Sequence, residues 1–304
     1  MIPNTPSALV IANPTAGRGR FRQRCLEQSE IAREWVWKET EFPGHAEELA
    51  AEAGRAGAGL VVAAGGDGTI HEVLNGLLRN PDNQTVLGIL PVGTANDYVM
   101  AFRDHAKDRS TPRCVDVGLL QWDDGSRYFV NAAGIGLPGA IADQSRRLRR
   151  YPARLRYTLS LALSLGSSFR PAQASMMIDE IAMPPTNLLM LSIGIGTHVG
   201  SFPLHPAANL EDGELDVLEV GDVGRIELAR FVPGLLRGSI PTNHPKVRTH
   251  RCRSLGIRAS HPLCVHLDGE QPTGLTKSGE VEYTVQVIPT GINMMLIDPG
   301  VGQY

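Results

Sequence analysis

VVAAGGDGTIHEVLNGL, residues 61–77, decides how the first third of this chain folds. An apolar run ends in Gly65-Gly66-Asp67-Gly68, and apolar residues of a different period follow. Ile70, Val73, Leu74, Leu77 and Leu78 fall at i, i+3, i+4, i+7 and i+8, one face of a helix. Thr69-Ile70-His71-Glu72 fits the capping box T-x-x-E and predicts a helix start near Thr69. The glycines therefore stand between a buried strand and a helix N-terminus. Either they only turn the chain, or they bring backbone N–H groups against something negatively charged. Unpaired N–H groups and the helix dipole favour phosphate at such a place. Asp67 repels phosphate, so its presence makes sense if Mg²⁺ lies between the two, taking oxygen ligands from both.

Two more strands accompany this one. Residues 8–12 (ALVIA), 60–64 (LVVAA) and 86–90 (VLGIL) are apolar on both faces, as strands buried in a parallel sheet are. HAEELAAEAGRAG, residues 45–57, reads as a helix between them. Strand and helix in alternation imply a parallel sheet with helices on both sides, and such sheets bind ligands beyond the C-terminal ends of their strands. The loops at those ends are suggestive. IANPTAGRGR (11–20) carries Asn-Pro, Gly17 and Gly19, with Arg18 and Arg20 adding positive charge, and LPVGTANDYV (90–99) turns at Gly93 into a second cap-like Thr94-Ala95-Asn96-Asp97. Three strand ends on one sheet edge, all rich in Gly, Thr, Asn and Asp, predict a nucleotide site.

Beyond about residue 120 the pattern changes. RYFVNAAGI, ASMMIDE, NLLMLSIGIG, ELDVLEV, SLGIRAS and LCVHLDGE read as strands separated by Gly, Pro and Asn, which predicts a mainly antiparallel β domain. Within it, residues 145–169 place Arg146, Arg147, Arg149, Arg150, Arg154 and Arg156 ahead of a short apolar helix-like stretch. These arginines are either a solvated basic turn or a patch for anionic lipid headgroups. A net charge of −3 over 304 residues argues against a nucleic-acid partner, which needs a broad basic surface. Four cysteines without CxxC pairing and an N-terminus unlike a signal peptide predict a reduced, cytoplasmic protein, at most peripheral to a membrane. The histidines show neither HxH nor HExxH spacing, so no zinc site is expected.

NPTAG, TEFPGHAEELA, GGDGTIHEVLNGL, PVGTANDYV, VDVGLL, NAAGIGLPGAI, LEDGELDV and LDGE stand in the order and spacing of the diacylglycerol-kinase catalytic fold. The chain resembles the soluble bacterial lipid kinases over nearly its whole length. That resemblance implies an N-terminal α/β domain, NAD-kinase-like with a parallel sheet, formed by residues 1–119 and about 288–304. It implies a C-terminal β-sandwich lipid-substrate domain over 120–287, with the active site in the cleft between the two. The implied activity is transfer of the γ-phosphoryl group of Mg·ATP to a lipid hydroxyl such as that of diacylglycerol. Asn13, Thr15, Gly17, Thr40, Gly65, Gly66, Asp67, Gly68, Thr69, Thr94 and Asn96 would contact ATP, and Asp67 would help position magnesium. Asp97 and Asp116 would complete the polar network, and Glu270 would be the general base. A structural Mg²⁺ would be held by the Asp212 carboxylate and the carbonyls of Asn209 and Glu214. Precedent in the family and free β edges allow a homodimer. The first loop departs from the family in having Ala16 where Ser is frequent and in lacking a lysine further along. Two rival readings remain at this stage, a kinase of a soluble hydroxyl such as that of NAD, and a non-catalytic nucleotide- or lipid-binding regulator.

Overall fold

A computed structural model describes residues 8–16, 35–80, 82–91, 97–105, 111–148, 151, 153–166, 170–200, 202–235, 237–275 and 278–297. The chain divides into two compact units, Met1–Val115 with Thr290–Tyr304, and Asp116–Pro289.

The first unit is a parallel α/β layer. Strands β1 (Leu9–Ala12), β2 (Val36–Glu39), β3 (Leu60–Gly65) and β4 (Val86–Pro91) pair in parallel in the order β4-β3-β1-β2. On the far side of β4, residues Met294–Leu296 at the end of the long strand β15 (Val281–Leu296) add a further parallel pairing. Val10, Ala12, Val62, Ala64 and Leu90 form a buried cluster against the partly buried Trp35 and Trp37. β2 has no counterpart in the sequence reading. Its VWKE is an edge strand with three exposed residues, so it carries neither the continuous apolar run nor a full alternation that would mark it.

Helices α1 (His45–Arg55), α2 (Asp67–Leu77) and α3 (Asp97–His105) connect these strands. On α2, Ile70, Val73, Leu74 and Leu77 are all within 1% of complete burial, so the helical stripe is the core face. The capping box, however, does not form. α2 begins two residues early, at Asp67, with extended Gly66 as its N-cap and no side-chain cap bond. Glu72 instead reaches α1, where its two carboxylate oxygens accept the N–H groups of Gly44 at 3.0 Å and Ala46 at 3.2 Å. It serves the N-terminus of the neighbouring helix rather than its own.

The second unit is mainly antiparallel β. Along β8 (Ala172–Ile178), β10 (Thr186–Gly194), β11 (Leu215–Gly221), β12 (Val247–Cys252) and β13 (Ser254–Ala259) the order is β12-β11-β10-β8-β13, continued by the first half of β15. β5 (Arg113–Trp122) pairs with β6 (Gly125–Phe129), β9 (Ile181–Ala182) with β8, and β7 (Ala132–Gly136) joins β10 to β14 (Val265–Leu267). Among the described residues, three helices accompany these strands, α4 (Leu137–Arg147), α5 (Ala153–Gly166) and α6 (Arg225–Leu235). Leu137 of α4 and Leu228 of α6 are buried with Leu189, Leu218, Val220 and Val247 of the sheet. RYFVNAAGI, read as a single strand, is two, because Val130 and Asn131 leave the ladder between β6 and β7. The arginines at 146 and 147 end a helix, α4, rather than forming a turn.

Candidate active site

In the first unit, the candidate residues gather at the C-terminal ends of neighbouring parallel strands. Asn13 follows β1, Thr40 follows β2, Gly65 ends β3 with Gly66–Thr69 after it, and Asp97 opens the helix after β4. Backbone bonds draw the first three together, Asn13 N–H donating to the Ala64 carbonyl at 3.0 Å and Thr40 N–H to the Ala12 carbonyl at 2.8 Å. The Asn13 side chain is an Asx turn, its Oδ1 accepting the N–H of Thr15 at 3.0 Å and the Thr15 hydroxyl at 2.7 Å. Its Nδ2 donates to Thr69 Oγ1 at 3.4 Å, which ties the first loop to the glycine loop. Gly65 must be glycine because a Cβ there would fall on the Thr69 hydroxyl.

Asp67 stands at the convergence of two helix starts. It opens α2, and its carboxylate accepts the N–H groups of Asp97 at 3.3 Å and Tyr98 at 3.4 Å, the first two residues of α3. Two dipoles thus point their positive ends at one junction, where the Asp67 carboxylate supplies hard oxygens. That donor set fits a magnesium ion shared with phosphate. Gly17, Thr94 and Asn96 lie outside the described residues, as do Arg18 and Arg20.

In the second unit, Glu270 closes a tight turn after β14. Asp268 and Gly269 have φ of 52° and 87°, and Leu267 and Glu270 exchange backbone bonds of 2.7 and 2.9 Å across them. The sequence reading passed over Asp268, yet Asp268 fixes this turn. Its buried carboxylate accepts three backbone N–H groups, those of Val130 at 3.1 Å, Asn131 at 2.9 Å and Ala132 at 3.1 Å, while its own N–H donates to the Ala132 carbonyl at 2.8 Å. Two of these donors, Val130 and Asn131, are the residues that leave the ladder between β6 and β7. The signal for it was present in LDGE, since an Asp ahead of Gly often binds nearby backbone, but its partners lie more than a hundred residues away. His266 completes the turn by accepting Gly269 N–H on Nδ1 at 3.3 Å. Burial pushes its imidazole down to about 4, with Asp268 opposing, so it is neutral at pH 7 and carries its proton on Nε2.

The Glu270 carboxylate itself is partly open, 39% exposed, and the Arg146 guanidinium lies 3.8 Å away. Arg146 also bonds Gln271 and reaches Asp143 at 3.5 Å, and Arg147 pairs with Asp143 at 3.1 Å. Two of the arginines read as a basic patch are therefore engaged within the unit. Arg149 and Arg150 lie outside the described residues, and so does the side chain of Arg154.

Asp116 and the acidic loop are joined. Asp116 is 1% exposed, accepts Gly213 N–H on its carboxylate at 2.7 Å, and donates its own N–H to the Leu210 carbonyl at 2.7 Å. Within the loop, Asn209 Oδ1 accepts the N–H of Glu211, and one oxygen of Asp212 accepts that of Glu214, both at 3.1 Å. The other Asp212 oxygen is bonded to Arg251.

A parallel α/β unit with a glycine-flanked carboxylate at its strand ends, continued by an antiparallel β unit, is the arrangement of the NAD-kinase-like fold class. Residues 7–116 match the diacylglycerol kinase catalytic domain, and residues 131–296 match the YegS C-terminal NAD kinase beta sandwich-like domain. Diacylglycerol kinase of Bacillus subtilis (strain 168) is 31% identical over 278 residues, spanning 86% of this chain and 89% of that protein. That of Staphylococcus saprophyticus is 29% identical over 279 residues, spanning 86% and 88%. Among solved structures, a diacylglycerol kinase from Bacillus anthracis str. Sterne superposes with a TM-score of 0.69 at 20% identity, covering 98% of this chain and 99% of that one. Yeast NADH kinase complexed with NADH gives 0.53 at 12% identity, covering 98% and 85%, which speaks for the fold alone. The chain belongs to the diacylglycerol kinase catalytic-domain family, and is a lipid kinase.

Proposed function

We propose that this lipid kinase moves the γ-phosphoryl group of ATP onto the free hydroxyl of diacylglycerol. The observation that carries the reading is the gathering of Asn13, Thr40, Gly65–Thr69 and Asp97 at adjacent strand ends, where two helix N-termini face one carboxylate. That arrangement suits the phosphates of a nucleotide. Asn13, Thr15, Gly17, Thr40, Gly65, Gly66, Gly68, Thr69, Thr94 and Asn96 are assigned to ATP. Asp67 is assigned to the magnesium that travels with ATP, with Asp97 beside it. Bound there, magnesium neutralises the phosphate charge that would otherwise repel an incoming oxygen.

Glu270 is assigned as general base. Its carboxylate takes the proton of the lipid hydroxyl as the oxygen bonds to the γ-phosphorus. The bond from that phosphorus to the β–γ bridging oxygen breaks, and ADP leaves with the electron pair. The exposed carboxylate on a turn pinned by Asp268 supports this role, since a base must be accessible and its position held. Asp116, buried against the 210–213 loop, is assigned to support rather than to proton transfer.

The lipid acceptor resides in a bilayer, so the enzyme works at a membrane surface. No helix among the described residues is long and apolar enough to cross a membrane. We assign peripheral contact at the cytoplasmic face, and a homodimer as the assembly. The acceptor is tested with radiolabelled ATP and vesicles of a total lipid extract. Label in phosphatidic acid is expected, and label that appears only when NAD is supplied would overturn the lipid assignment.

A further inference from the structure

The resemblance places a structural magnesium ion on the acidic loop that leads into β11, held by the Asp212 carboxylate. The side chains at that loop are committed elsewhere. One Asp212 oxygen accepts the N–H of Glu214 at 3.1 Å, and the other is bonded to the guanidinium of Arg251. The same guanidinium lies 2.8 Å from Glu214 and 3.9 Å from Asp216. β12 delivers it there, because the antiparallel register sets Arg251 directly opposite Asp216 at the start of β11. Arginine suits the task, with five donors in a planar fork that can serve several carboxylates at once.

A divalent cation on Asp212 would have to share that carboxylate with a fixed positive charge. At a separation of about 4 Å near a protein surface, like charges cost on the order of several kcal/mol per charge pair. Magnesium also demands a near-octahedral shell of oxygens, which a carboxylate shared with a guanidinium does not readily provide. With Arg251 in place, the Asp212 carboxylate does not fit the ion. Glu214 and Arg251 are 35% and 49% exposed, so solvent screens their pair, while the buried Asp216 Oδ2 has no hydrogen-bond partner among the described residues.

We propose that Arg251 stands in this chain where relatives would use a structural magnesium ion, neutralising Asp212 and Glu214 from within and fixing the loop on which Asp116 rests. The inference concerns the loop alone and does not depend on which substrate is phosphorylated.

Thermal unfolding of the nucleotide-free full-length protein tests it, in EDTA and in millimolar magnesium chloride. The wild-type midpoint is expected to be the same in both. Arg251→Gln is expected to unfold roughly 2–4 °C lower in EDTA and to recover in magnesium. The double variant Arg251→Gln with Asp212→Asn is expected not to recover. A wild-type midpoint that falls in EDTA and returns with magnesium, in a way that Asp212→Asn abolishes, overturns the proposal. So does an Arg251→Gln protein indifferent to magnesium. Should that variant fail to fold, the wild-type comparison decides by itself. Because no nucleotide or lipid is present, these outcomes are independent of whether the kinase assignment holds.

Discussion

The candidate residues of the two units are held in opposite ways. In the first unit, the glycine loop, Asp67 and the helix after them are contiguous in sequence, and the start of α3 joins them from 30 residues further along. In the second, Glu270 depends on Asp268, which binds Val130, Asn131 and Ala132 from more than a hundred residues away. A strand end with glycines can be recognised from a dozen letters. A carboxylate that takes backbone donors from a distant strand cannot. The comparison suggests how each half should fail, the local one by losing its charge and the distant one by losing its geometry.

The largest effect is expected at the local half. Asp67→Asn removes the charge that the two helix starts and the magnesium would share, and kcat should fall on the order of 10²-fold or more. Isothermal titration with Mg·ATP should show weakened magnesium-dependent binding. Near-normal turnover would remove Asp67 from the chemistry.

The distant half should break more gently. Asp268→Asn keeps one acceptor oxygen and sets an NH₂ group against backbone donors, costing about 1–3 kcal/mol of stability. The shift it causes in the Glu270 turn should lower kcat by roughly 10- to 10²-fold, while the KM for ATP stays unchanged. A variant that loses stability but keeps its kcat would separate Asp268 from catalysis.

Gly65→Ala sharpens the comparison from the other side. Its Cβ would displace Thr69 and with it the bond to Asn13, so stability should fall by about 1–3 kcal/mol, with KM for ATP rising more than kcat falls. Equal KM in mutant and wild type would detach this loop from nucleotide binding.

The smallest effect near neutral pH concerns His266 and His205, both buried and both pushed down to about 4 by burial. The unfolded chain takes up protons near the ordinary value of 6.5 while the folded chain resists them. Their contribution is therefore whole above about pH 6.5 and is lost as pH falls from there towards 4. Urea denaturation across that range should show the slope, and His266→Gln should flatten it. A slope that survives both His266→Gln and His205→Gln would place the sensitivity elsewhere.

Much of the fold was legible in the sequence, for reasons that individual residues make plain. β1, β3 and β4 are buried on both faces, so their apolar runs had no competing explanation, and α2 shows its stripe from Ile70 to Leu77. β2 was hidden because an edge strand with exposed Val36, Lys38 and Glu39 looks like a loop. The capping box failed for an instructive reason. Thr69 and Glu72 have the correct spacing, but Thr69 is bonded to Asn13 and Glu72 serves the N-terminus of α1. Spacing records what a residue is able to do locally and not what a neighbour in space will ask of it. The acidic loop illustrates the same limit. The family resemblance makes LEDGELDV a source of oxygen ligands for a metal, and only the pairing of β11 with β12 brings in Arg251. Glu270 stood out in the sequence through family resemblance alone, whereas its partners Asp268 and Arg146 emerge from the fold.

The central claim, that donor handling and proton removal belong to separate units of one kinase, is tested most directly by Glu270→Gln. Phosphoryl transfer from radiolabelled ATP to diacylglycerol vesicles should be abolished, while ATP binding measured by calorimetry stays at the wild-type affinity. Wild-type turnover by that variant would contradict it.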